Sequence, residues 1–559
     1  MAKDSASCGS ETMNIELTFP YLHTPDEVAA AVAQRCGNAV PFRILKRSID
    51  ARQHRSIRVQ YSISTDCSDP AEEIHAAVRR QAARLLATGA TQRFRPVVVG
   101  SGPGGIFCAD WLLLHGFRPM LLEQGPEMRR RVRDMAHFMK HGELHPYSNI
   151  CFGAGGAGTY SDGKLITRIR SPYISFIMRR FVEFGAPEDI RYVYNPHLGS
   201  NKIRQCITRL LDDLAQRGVS LRYETRVTGL SLHGSSGTID VRTDVDADPL
   251  EAHAVFLATG HSARDVYRFL REGDVTMEAK DFAIGVRVEH PADSICTMQY
   301  GASYKQHYPG IETAQYKLAR TWKDEDRAVY SFCMCPGGYV LNASSSTDGV
   351  VTNGMSNYLK SGRFSNAAIV VNVSARDLER EGYGGLDGGV RFQADLESAF
   401  RASVNPAGSC ATIPGQRLKD FLEGRESGTL SPSSCVNPVA PAAIHRLLPE
   451  YIRASLVRGF EAFDRKMTGF ARHAEAQIFG VESRTSSPYR ISRDGVTLRS
   501  PSLEGLYPVG EGAGYAGGIT SAAVDGIRAA QAWIASFIEP DERFQQKSRS
   551  ALDPGAEEA

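Results

Sequence analysis

No stretch of this chain approaches the roughly 20 apolar residues that a membrane-crossing helix needs. No apolar run follows the polar start Met1-Ala2-Lys3-Asp4-Ser5. Neither a span nor a secretory leader is therefore expected, and no membrane partner. Net charge is also scarce, a formal +2 over 559 residues, so no global field gathers nucleic acid. The locally basic stretch 43–58 reads as a solvated strand surface, with an RNA or acidic-partner site as the alternative. His/Cys clusters with zinc spacing are missing, and no metal site is expected. The 11 cysteines are scattered and odd in number, which fits reduced thiols in a cytoplasmic protein better than a disulfide framework. One close pair exists, Cys333-Met334-Cys335. It is either redox-active or simply packed, since alternate residues of an extended strand share a face.

What is present is the composition of a soluble globular protein, 42% hydrophobic and 23% charged, in a chain long enough for two or three domains. Residues 1–12 are small and polar, a disordered start. Residues 13–90 read as a small N-terminal α/β module. Asn14-Ile15-Glu16-Leu17-Thr18 alternates like a strand, Thr24-Pro25 opens a helix, two strands flank Asp50-Ala51-Arg52, and Asp69-Pro70 opens a second helix. Residues 88–95 read as a linker. After 539 the polar, charged tail is expected to be disordered.

Chemistry appears at Pro96-Val97-Val98-Val99, a short buried parallel strand by type. It runs into Gly100-Ser101-Gly102-Pro103-Gly104-Gly105, then an apolar helix ending at Gly116, then the strand Pro119-Met120-Leu121-Leu122, which ends at Glu123. Gly100 permits the tight turn, Gly102 lets backbone approach a pyrophosphate, and Gly105 lets helix and strand pack. The helix N-terminus offers N–H groups to phosphate. Glu123 stands about 20 residues on, where a carboxylate meets ribose hydroxyls. A dinucleotide is expected here.

Three further segments point to FAD. Leu221-Arg222-Tyr223-Glu224-Thr225-Arg226-Val227 reads as one strand; it resembles the strand that passes the adenine in the glutathione-reductase-like FAD fold, which implies a backbone contact from Val227. Ala254 to Gly260 reads as a strand and turn returning to the same sheet. Gly505-Leu506-Tyr507-Pro508-Val509-Gly510-Glu511-Gly512 is a strand ending in a Gly-acid-Gly turn, where a backbone N–H reaches the pyrophosphate and Glu511 the ribityl chain. Gly518-Ile519 begins a helix whose N-terminus faces the flavin pyrimidine. The Gly-rich stretch 152–164, including Gly158, lacks a preceding strand and reads as a loop against the flavin. No second nicotinamide-type fingerprint occurs in the middle section. The expected fold is α/β. A Rossmann-like FAD-binding domain at 96–262 and 470–538 is interrupted by an inserted α+β substrate or cap domain at 263–469.

These features resemble the FAD-dependent, or NAD(FAD)-utilising, dehydrogenases over nearly the whole chain. The resemblance rests on Gly156-Ala157-Gly158-Thr159, Ser161-Asp162-Gly163-Lys164-Leu165, Asn195-Pro196-His197-Leu198-Gly199, Ser331 to Gly338, Asn353-Gly354-Met355-Ser356, Glu482 to Pro488 and Gly510 to Ile519. It implies FAD and an oxidoreductase activity, and names no substrate. Where that family has Glu, this chain has Ala154.

For catalysis, His197 is an acid/base candidate by type, with a backbone-bonded structural histidine as the alternative. Tyr160 lies on the loop facing the flavin, where Lys164 either takes part or pairs with Asp162. Arg484 holds either an anionic substrate or a structural ion pair. The expected function is an FAD-dependent oxidoreductase acting on a small organic molecule, with NADH or NADPH a candidate transient reductant. The alternative is a flavoprotein passing electrons to a protein partner, or using FAD structurally, with the N-terminal module as docking site.

Overall fold

All four residues of the Pro96–Val99 strand are buried, as a strand covered on both faces requires. In the computed structural model, which describes residues 12–53, 56–234 and 237–538, this strand is the centre of a five-stranded parallel sheet. The spatial order is Leu506–Pro508, Ala254–Leu257, Pro96–Val99, Met120–Leu122 and Ser220–Arg222. The helix Pro103–Leu114 leaves the central strand, and Ile519–Ile534 follows the last. The two helices cross at glycines: a Cβ at Gly526 would lie 2.0 Å from the Gly104 carbonyl oxygen. Gly104, expected at the cofactor, is thus a packing residue of this crossing. The start and the tail, both expected to be disordered, lie outside the described residues at 1–11 and 539–559.

The stretch 221–227 is not one strand. Ser220–Arg222 completes the parallel sheet, and the chain then turns at Glu224, where φ is +50°. Val227–His233 instead joins an antiparallel sheet with Thr238–Thr243 and Leu250–Ala252. The break is held by Glu224 N–H donating to Gly125 O and Thr225 N–H to Glu123 O.

The N-terminal strands form a separate antiparallel sheet, ordered Asn14–Pro20, Arg58–Ser64, Arg43–Asp50. Thr24 and Glu27 close a reciprocal capping box on the helix Pro25–Cys36. The second helix, Pro70–Thr88, departs from the expected module. Its buried Ile74, Val78 and Leu85 share a core with Ile106 and Trp111, and Gln81 bonds the buried His115 at 2.9 Å. It belongs to the parallel-sheet layer, and the supposed linker contains the short helix Ala90–Arg93. The module touches the rest through its edge strand, where Arg47 N–H donates to Tyr192 O at 2.8 Å and Tyr194 N–H to Arg47 O at 2.9 Å, and through Ile57, which is buried in the middle-layer core and donates its N–H to the Tyr308 hydroxyl at 3.0 Å. Nothing of an RNA or protein partner follows from this packing.

The middle section is built on seven strands in the order Ala319–Trp322, Arg327–Cys335, Phe364–Val373, Phe282–Pro291, Gln477–Glu482, Ile413–Arg417, Val439–Pro441. All neighbours are antiparallel except the last pair. Gln477–Glu482, placed in sequence with the dinucleotide part, is fully buried inside this sheet. The middle layer therefore runs past the expected boundary at 469. Among the described residues no helix is long and apolar enough to cross a membrane.

Candidate functional site

Both helices that leave the parallel sheet begin at a glycine N-cap with no side-chain cap, Gly102 and Gly518. Open space lies beside both glycines. A Cβ on Gly102 would meet nothing nearer than Gly156 Cα at 4.0 Å, and on Gly260 or Gly518 nothing within 4 Å. The turn around them is tight. A Cβ at Gly100 would lie 2.4 Å from Ala258 O, and at Gly105 1.8 Å from Gly100 O. Gly158 is wedged between the two helix starts, its Cβ position 3.1 Å from Ile519 and 3.7 Å from Pro103. Two uncapped N-termini converging on a bare cleft fit the phosphates of a dinucleotide.

The surrounding residues are arranged to hold this turn. Glu123 is almost wholly buried. Its carboxylate accepts from Ser101 N–H at 2.9 Å, Ser101 Oγ–H at 2.7 Å, Gly125 N–H at 2.9 Å and Gly153 N–H at 3.1 Å. Four donors occupy the acceptor capacity of a carboxylate, so Glu123, expected at a ribose, instead joins three backbone segments. Val227 is buried in the cluster that includes Val97, Val99 and Leu122. Gly510, at φ +78°, donates its N–H to Asp525 at 2.7 Å, and Asp525 is paired with Arg493 at 2.7 Å. Gly510 N–H is therefore not the one that reaches a phosphate. Glu511 lies in a recess, 29% exposed, with His261 Nε2 3.6 Å away. Burial lifts its carboxyl to about 7, against the opposing field of Lys280.

Past the Ile519 helix start, where Thr520 Oγ donates to Leu165 O at 2.7 Å, the motifs of the middle section gather into one wall. Lys164 pairs with Asp162 at 3.0 Å and donates to Met334 O. Burial works against its charge, but Asp162 together with Cys335 and Cys333 outweighs burial, and the amine lies above the ordinary lysine range. Cys333 and Cys335 flank that contact. They do not share a face of an extended strand: a bulge displaces the register between Phe332 and Cys335, and Cys333 takes φ +42°. Cys333 is accordingly exposed and Cys335 buried. Cys333 is reachable by water yet enclosed by protein, and burial pushes its thiol up to about 12. A non-glycine residue at positive φ in a binding wall is strain held by its surroundings.

His197 reaches the same wall. Its backbone bridges Lys164, its Nε2 shares a 2.9 Å hydrogen bond with Ser356 Oγ, and its buried Nδ1 has no partner among the described residues. Burial lowers its pKa to about 4, so the ring is neutral at pH 7. Tyr160 is not part of this wall. It packs with Phe138, Ile150 and Val340, its ring between the guanidiniums of Arg131 and Arg204 at 4.9 and 5.0 Å. Arg484 is a bidentate partner of Glu397 at 2.7 and 3.0 Å, and donates to Ser345 Oγ. That is the ion-pair alternative.

Two organising residues escaped the sequence reading. Arg131 is fully buried and donates to the carbonyls of Asn149, Ile150, Gly153, Ala154 and Gly156 and to Thr159 Oγ. It shapes the whole loop facing the cleft. Its signal was positional: it shares a helix face with Met128 and Met135. Arg287 is fully buried, pairs with Glu482 at 2.8 Å, and also reaches Asn366, Asn353 and Cys333 O. A lone arginine inside the apolar run Phe282–Pro291 was its mark. Among the described residues no His/Cys/Asp/Glu group could hold a metal.

Residues 281–485 match the family described as FAD-dependent protein, C-terminal domain-like. An uncharacterised protein of Clostridium beijerinckii is 36% identical over 509 residues, covering 89% of this chain and 93% of that one. The chain belongs to this FAD-dependent protein family. Residues 10–66, the three-stranded module, match a domain of unknown function, DUF8436. Solved structures with a partial likeness include CtdE in complex with FAD, at 9% identity, 82% of this chain, 92% of that chain and TM-score 0.32. Another is the tetracycline destructase Tet(55), at 10% identity, 81% of this chain, 84% of that chain and TM-score 0.36.

Proposed function

We propose that this FAD-dependent family member is an oxidoreductase of the dehydrogenase type, working in the cytoplasm on a small organic substrate. The observation that carries the reading is the bare cleft between the two uncapped helix starts, lined by Gly102, Gly158 and Gly518. When bound there, FAD supplies two-electron redox chemistry that no side chain offers. Backbone N–H groups after Gly102 hold its phosphates, and those at Ile519 favour negative charge at its pyrimidine end. Glu511 orients the hydroxyl chain. The substrate enters from the wall of the middle layer, which serves as the cap. Lys164, held charged by Asp162, fixes an oxygen or anionic group of the substrate. The Cys333 thiol stays protonated at neutral pH and keeps a proton at that wall. The neutral His197, held through Ser356, offers Nδ1 as a hydrogen-bond partner rather than a charge. NADH or NADPH is placed as a transient reductant rather than a resident.

Acid release of the bound cofactor followed by mass determination tests the reading: FAD is expected, while FMN or no flavin overturns it. Gly102→Val should fold, because its Cβ meets open space, yet retain no flavin, because the branched side chain occupies the cleft. Gly105→Ala should fail to fold, with its methyl 1.8 Å from a carbonyl oxygen.

A further inference from the structure

One turn beyond Gly260, Arg264 opens the helix Arg264–Glu272. Its Nη2 donates to Gln393 Oε1 at 2.6 Å. Its Nη1 is buried and has no hydrogen-bond partner among the described residues. The acids around it are committed elsewhere. Glu397 accepts both arms of Arg484 and the Ser483 hydroxyl. Asp265 faces Arg226 at 3.6 Å. Glu511 lies beside His261 and feels the charge of Lys280. His261 brings no charge, since burial and the two neighbouring guanidiniums hold it at about 3. The hydroxyl of Tyr267 points to Gly512 O and that of Tyr489 to Asp387.

One carboxylate thus serves two guanidiniums in an enclosed place, and Arg264 itself is pulled below its ordinary range by burial and by Arg484. An arginine does not shed its proton at neutral pH. A buried charge without a counter-charge is costly. The Nη1 arm that remains open, beside an Nη2 already held by Gln393, suits an oxygen of an acid group. The recess adjoins the dinucleotide cleft, because the Gly512 Cβ position is 2.6 Å from Gly260 O.

We propose that Arg264 is the cation of an oxyanion subsite, backed by Arg484, that takes a phosphate or carboxylate group. The two sources with this chemistry are a phosphate of the bound dinucleotide and an acidic group of the substrate. The dinucleotide source rests on the FAD reading; the subsite itself does not.

The test titrates flavin-free protein with inorganic phosphate and follows thermal unfolding, for wild type, Arg264→Gln and Arg264→Lys. Wild type should gain stability saturably. Arg264→Gln should be flat, and Arg264→Lys should respond more weakly, keeping the charge without the fork. FAD affinity then separates the sources. A loss of about tenfold or more in Arg264→Gln, with phosphate competing against FAD, assigns the subsite to the dinucleotide. Unchanged FAD affinity, with phosphate still perturbing the absorbance of the bound flavin, assigns it to the substrate. Equal phosphate response and equal FAD affinity in wild type and Arg264→Gln overturn the proposal. A chain that binds no FAD but shows the phosphate response overturns the flavin reading alone.

Discussion

Glu511 is a carboxyl whose surroundings favour its proton, with a value near 7 where an exposed glutamate stands near 4.5. The folded chain then binds that proton more tightly than the unfolded chain. Between about pH 4.5 and 7 this group takes stability away as pH rises, and above 7 its penalty is constant. Glu511→Gln removes the charge and keeps the shape. Denaturant unfolding of flavin-free protein should show the variant gaining on wild type from pH 5 to pH 8; an equal difference at both ends would show that the carboxyl titrates normally. Glu511→Ala should in addition weaken FAD about ten- to a hundredfold, the worth of one charge-assisted hydrogen bond.

At the scale of elements, the position of Pro70–Thr88 decides how the chain can be cut. Removing residues 1–90 strips Ile74, Val78 and Leu85 from the core of the parallel-sheet layer. Each lost core side chain costs about 2–5 kcal/mol, so that truncation should not yield folded protein. Removing residues 1–66 takes the three strands, the first helix and Ile57, the module's one buried side chain in the middle-layer core, and should leave flavin bound. It also removes Arg47, whose backbone holds 192–194, just before His197. Faster amide exchange around 192–198 is the expected signature, and unchanged exchange there would deny the module this part.

The same elements show what could be read from residues alone. The strand, turn, helix and strand of 96–122 were legible because glycine spacing and burial on both faces are local properties. So were the caps at Thr24 and Asp69. The destination of Gln477–Glu482 was not. A strand with an apolar centre, Ile478-Phe479-Gly480-Val481, says that it is covered, without saying by which sheet. The bulge at Cys333 and the break at Glu224 depend on partners far along the chain. In the site, the glycine cleft was legible. The convergence of Lys164, His197, Cys333 and Ser356 on one wall appeared only in three dimensions. Arg484 was left open in sequence between an anionic substrate and an ion pair and is ion-paired with Glu397, whereas Arg264 was passed over.

Over the whole molecule, His115, His197 and His290 are held near 4 and His261 near 3 by burial. Each unfolds into a side chain that binds a proton below about 6.5. Their common contribution is present above that pH and is lost as pH falls toward 4. Four such groups outweigh the opposite slope of Glu511. The denaturation midpoint should drop steeply between pH 6.5 and 4, by several kcal/mol in unfolding free energy; a flat midpoint over that window would place these rings in solvent.

The parallel sheet closes with Leu506–Pro508, about 250 residues after its neighbour Ala254–Leu257. Four strands leave the ribosome early, and the Gly104 face of the helix Pro103–Leu114 waits for a helix encoded about 400 residues later. At roughly 5–20 residues per second, synthesis of the interval takes on the order of 10–50 s. During that time the middle layer can assemble while the first half-sheet stays open. Cofactor capture is therefore a late event in the birth of this protein. A nascent chain whose released residues end before 500 should carry the folded middle layer, whose last strand is Gln477–Glu482, and no flavin at all.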